Sequence, residues 1–73
     1  MKQDKRPALN WRDILLLLCV AREMTNDVIA DRIHRTVKLV EKDLKRIFRA
    51  LGATTRAGAV HNAWMGGVFR KRG

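Results

Sequence analysis

The 73-residue chain holds one cysteine, one proline, no tyrosine and four Phe or Trp side chains. A single cysteine excludes an internal disulfide, so the chain is not read as a stapled secreted miniprotein. Cys19, inside an apolar run, is expected to act as a small core hydrophobe of a cytosolic protein. With Pro7 alone and no stretch that alternates apolar and polar residues for long, the pattern predicts an all-α fold and no sheet. The scarcity of aromatics leaves no stacking platform for single-stranded nucleic acid. The apolar run Ile14–Ala21 is much shorter than the about 20 residues of a membrane span. It also lacks the flanks of a secretory leader, so no membrane partner is expected. Catalytic groupings are missing too. His34 and His61 have no cysteine or carboxylate at metal-ligand spacing, and no nucleophile sits beside a base. Gly66-Gly67 follows no strand and reads as a helix stop. No enzyme activity, metal or cofactor is expected.

Acid is also missing from one half of the chain. Sixteen Lys and Arg oppose seven Asp and Glu, a formal charge of +9. Every acid lies at or before Asp43, and residues 44–73 carry seven bases and no carboxylate. Solubility alone does not require such a separation; it suits a polyanionic partner.

Four helices are expected in one domain over residues 9–69, between basic tails at 1–8 and 70–73 that are expected to be flexible. Helix one spans Trp11–Arg22, with Asn10 placed to cap it. Helix two follows Thr25 and presents Val28, Ile29 and Ile33 on one face, with Asp27 in its first turn. Helix three follows Thr36. Its Val40, Leu44, Ile47 and Leu51 recur at spacings of 4, 3 and 4, the mark of one buried stripe, which Phe48 widens. Gly52 can adopt the left-handed conformation that ends it. Helix four runs from near Thr55 to Gly66, with Ala59, Val60, Ala63 and Trp64 apolar, and Val68 and Phe69 fold back over the core.

Helix three carries a second stripe. Lys38, Lys42, Lys45 and Arg49 repeat the 4, 3, 4 spacing, and Arg46 adds to them. Cations in register along a helix match the phosphate walls of a DNA groove and release counterions on binding. Glu41 lies among these bases and can accept a hydrogen bond from the amino group of cytosine. Helix two, the link His34-Arg35-Thr36 and helix three have helix-turn-helix proportions. The amides behind the Thr36 cap can hold a phosphate.

These residues resemble the DNA-binding domain of LuxR/GerE-type transcriptional regulators. That family's helix-two pattern Ser-Asn-x-x-Ile-Ala-x-x-Leu is matched by Thr25-Asn26-Asp27-Val28-Ile29-Ala30-Asp31-Arg32-Ile33. Its capping Ser is similar to Thr36, its Val to Val40, and its Ile-x-x-x-Leu-Gly to Ile47, Leu51 and Gly52. Its later Arg and Ala are similar to Arg56 and Ala59. Where the family has Gly before helix two, this chain has Glu23, and Leu15 replaces a Glu. The resemblance implies a four-helix domain of the standalone GerE-like form, from a bacterial or phage regulator of transcription. It implies that Glu41, Lys42 and Lys45 face the bases of double-stranded DNA. Thr36, Lys38, Arg46, Arg49 and Arg56 then lie at the phosphates. It also implies a homodimer, for which Val60 and Trp64 are interface candidates, in a cytoplasmic, nucleoid-associated protein.

Helix one is apolar all round, more than one face of a small bundle can bury. Either Trp11, the N-terminal tail and Phe69 cover it, or Ile14, Leu15 and Leu18 form a protein interface, in a dimer or with another regulator or RNA polymerase. The second case gives an alternative function: an antagonist or adaptor that uses helix 11–22 to engage another regulator or RNA polymerase.

Overall fold

A computed structural model describes residues 9–69; the tails expected at 1–8 and 70–73 lie outside the described residues. Among these residues the fold is all-helical, with α1 Trp11–Ala21, α2 Asn26–Ile33, α3 Val37–Ala50 and α4 Arg56–Met65. Each helix begins where a short polar side chain can take a free amide. The hydroxyls of Thr25, Thr36 and Thr55 accept from the amides of Val28, Leu39 and Gly58. At α1 the arrangement is reciprocal. The Asp13 amide donates to Asn10 Oδ1 at 2.9 Å, and the Asn10 amide donates to Asp13 Oδ2 at 3.2 Å.

Eleven apolar side chains form the core: Leu16, Leu17 and Val20 of α1, Ile29 and Ala30 of α2, Val40, Leu44, Ile47 and the capping Leu51 of α3, and Ala59 and Ala63 of α4. Leu17, Ile29, Val40 and Ile47 are the largest side chains fully removed from water. The buried positions of α4 are both alanine, small enough for it to lie close against α1. Val68 and Phe69 pack against the cluster from beyond α4, and Cys19 and Phe48 lie at its edge. Asn62 Nδ2 donates to the Leu51 carbonyl at 2.7 Å, fastening α4 to the end of α3.

Two expectations change. Val28 is 44% exposed, while Ala30 joins Ile29 in the core. At ~100° per residue, Ile29, Ala30 and Ile33 share one sector and Val28 lies to its side. Trp11, expected as one cover for helix one, is 67% exposed, so Leu15 and Leu18 stay open to water at 45% and 41%.

The turn between α1 and α2 holds Glu23 at φ +63°, and α2 ends on His34 at φ +59°. Both are left-handed conformations that cost an L-residue about 1–2 kcal/mol, against roughly 0.5–1 kcal/mol of extra chain entropy lost by Gly. Glu23→Gly is therefore expected to stabilise the fold by about 0.5–1 kcal/mol in urea unfolding, and Glu23→Val to weaken it.

Candidate nucleic-acid interface

α3 has two opposed faces. Val40, Leu44 and Ile47 are buried. Lys38, Lys42, Lys45 and Arg49 are all exposed on the other side. At ~100° per residue these four cations fall within about 60° of arc. Glu41 is exposed as well, but it stands at the flank of this arc. It lines two grooves beside the α2 and α4 starts, each together with Asn26 and Arg56. In sequence Glu41 sits among the bases; around the helix it borders them.

The cationic face is presented by a short unit. Only His34, Arg35 and Thr36 separate α2 from α3. The left-handed His34 turns the chain, and the Arg35 amide closes on the Ala30 carbonyl at 2.9 Å. The first intrahelical bond of α3 runs from the Val40 amide to the Thr36 carbonyl at 3.1 Å. The amides of Val37 and Lys38 precede it, at the positive end of the helix dipole.

Two arginines of the expected phosphate set have protein partners. Arg46 grips Asp13 with both terminal nitrogens, Nη2 to Oδ1 at 2.8 Å and Nη1 to Oδ2 at 3.2 Å. The carboxylate is buried, whereas 54% of the Arg46 side chain remains exposed. Asp43 stands further off, at 3.9 Å from Arg46. Arg56 donates to the Met24 carbonyl and to Asn26 Oδ1, tying the start of α4 to the turn before α2. Both therefore position helices. The sequence reading missed Asp13, although its place three residues after Asn10 is the signature of a capping box.

The Arg46 hydrogen bonds hold the Asp13 carboxyl below its usual range, against the opposing effect of burial, with the Asn10 amide assisting. Asp13 in turn raises the Arg46 guanidinium further. The pair joins the first turn of α1 to the middle of α3, so the pitch of the cationic face depends on it.

The expected interface residues of α4 lie outward. Trp64 is 59% exposed and meets Phe69 edge-on, with ring centroids 4.9 Å apart. Val60 is half-buried beside exposed Ala57 and His61. On α1, Leu15 and Leu18 are exposed and Ile14 is half-buried.

With this geometry in place, comparison with known proteins gives one direct parallel. The chain is similar to part of a helix-turn-helix regulator. It is 42% identical, over 90% of its length, to a stretch of the HTH-type transcriptional regulator AlkS of Alcanivorax borkumensis. That stretch is 8% of the relative's own length. No family model matches the chain, and no solved structure matches it.

The Asp13–Arg46 pair generates a signed pH prediction. Because the folded carboxyl titrates below its unfolded value, the unfolded chain takes up the proton first as pH falls. The stabilisation is complete above the ordinary carboxylate pKa of about 3.9 and is lost as pH drops through the folded value. Asp13→Asn is expected to cost about 1.5–3 kcal/mol at neutral pH and to flatten the acid limb of the urea midpoint. Arg46→Met strands a buried charge. It should be the worse variant at pH 7, with its deficit shrinking in acid as Asp13 protonates.

Proposed function

We propose that the chain is a DNA-binding module of the LuxR/GerE type, which regulates transcription by placing α3 in the major groove of double-stranded DNA. The observation that carries this reading is the face of Lys38, Lys42, Lys45 and Arg49, free of acid and set opposite the buried stripe. Similarity to part of a transcriptional regulator supports it. Lys42 and Lys45 address base edges, and Glu41, at the flank, accepts from a cytosine amino group. Lys38, Arg49 and the amides behind Thr36 hold phosphates. Arg46 adds charge beside the backbone while bound to Asp13, and Arg56 acts by holding the start of α4 in place.

The module works by binding alone, without catalysis, in a cytoplasmic, nucleoid-associated setting. It acts as a homodimer through the outward side of α4, where Val60 and Trp64 lie beside Ala57 and His61. Arg56, in its first turn, is the helix's only Asp, Glu, Lys or Arg. A two-fold pairing there meets no like-charge penalty at its centre, and it would space two α3 helices along one face of a duplex.

Selection from a random duplex library, followed by titration at several salt concentrations, tests the assignment. Lys38 and Arg49 at the phosphates, with Arg46 beside them, give a slope of log K against log salt of roughly −2 to −3 per bound copy. Lys38→Ala should weaken binding to all sequences alike and reduce that slope by about 1. Lys42→Ala and Lys45→Ala should each cost about 1–3 kcal/mol and relax selection at particular base pairs. Salt-independent affinity, or lysine variants that bind like the parent, would reject the reading.

A further inference from the structure

The outward line of α1 is Trp11, Leu15, Leu18 and Arg22, at the i, i+4, i+7, i+11 spacing of one helical face. All four are exposed, Trp11 most among its apolar members. Beside this line runs a groove of about 580 Å³. Trp11, Leu15 and Ile33 give it apolar walls, and Arg12 and Arg35 stand at its edges. The groove also contains two carboxylates, but Asp13 is bound by Arg46 and Asp43 lies 3.9 Å from the same guanidinium. Glu23, next to Arg22, lines a different groove on the α2 and α4 side. The Arg12 guanidinium stands 5.8 Å from the Trp11 ring centroid. The result is an apolar strip bordered by Arg12, Arg22 and Arg35, three cations against Asp43, since the Asp13 charge is taken up by Arg46.

We propose that this face of α1 docks an acidic amphipathic helix of a protein partner. Bulky apolar side chains at helical spacing would cover Trp11, Leu15 and Leu18, and flanking carboxylates would meet Arg12, Arg22 and Arg35. The charge pattern selects this occupant. A second copy laid antiparallel on the strip brings Arg22 toward Arg12 at both ends, and a parallel copy sets each arginine against itself. Duplex DNA would satisfy the arginines but leave the tryptophan and leucines in water. The inference is independent of the DNA reading, which rests on a different helix.

The probe is a synthetic helical peptide of Leu–Glu heptads, with a Leu–Lys peptide of the same pattern as its opposite. Each is titrated into the isotope-labelled 73-residue chain at roughly physiological salt and followed by amide chemical shifts. The Glu peptide should shift Trp11–Arg22 and Ile33–Arg35, and the Lys peptide should not. Leu15→Gln with Leu18→Gln should weaken the Glu peptide at least about ten-fold while leaving duplex binding unchanged. Arg12→Glu with Arg35→Glu should lose the Glu peptide and gain the Lys peptide. Should the leucine variant fail to fold by circular dichroism, the arginine variant decides alone. Shifts confined to Lys38–Arg49, equal binding of both peptides, or a dimer of the free chain abolished by the leucine substitutions would each overturn the proposal.

Discussion

Val40, Leu44, Ile47 and Leu51 must be shielded from water if α3 is to stay folded while its opposite side carries four cations. Burying each such side chain contributes about 1.5–3 kcal/mol, more than any single surface ion pair in a domain of this size. The stripe therefore dictates the arrangement. α1 and α2 pack on α3 and add the fully buried Leu17 and Ile29 to the same core, while α4 lays its alanines mainly against α1. Once the stripe is covered, the cationic face points outward without further adjustment, because both faces belong to one rigid helix.

Orientation is refined by polar contacts between distant segments. Asp13 caps α1 and holds Arg46, Arg56 holds the turn before α2, and Asn62 holds the end of α3. A buried carboxylate in so small a core would be costly unpaired, and its two-pronged bond to Arg46 turns that cost into an angular constraint. Two of the arginines that first suggest phosphate binding thus serve architecture as well. The uncommitted positive face is narrower than a count of bases implies, centred on Lys38, Lys42, Lys45 and Arg49.

Two surfaces remain outside this economy. The outward sides of α1 and α4 expose Trp11, Leu15, Leu18, Trp64 and Met65, apolar groups left open among the described residues. They differ in their borders: α1 is edged by arginines, and α4 has a single cation at its start. That difference is the reason we propose an acidic partner for one face and self-association for the other, with DNA at neither.

Helix number, capping residues, the α3 stripe and its cationic counterpart were all legible in the sequence, because each depends on residues three or four apart on one helix. The surplus of apolar residues on α1 was legible for the same reason. Tertiary structure decided what spacing cannot express. Asp13 and Arg46 are 33 positions apart and Arg56 and Met24 are 32 apart, so only the packed helices bring them together. The flank position of Glu41 and the shared sector of Ile29, Ala30 and Ile33 follow from ~100° per residue and were legible too; packing decided that this sector of α2 is the one covered. It also left Trp11 in water: whether an apolar side chain is covered depends on which surfaces meet, and local periodicity carries no record of that.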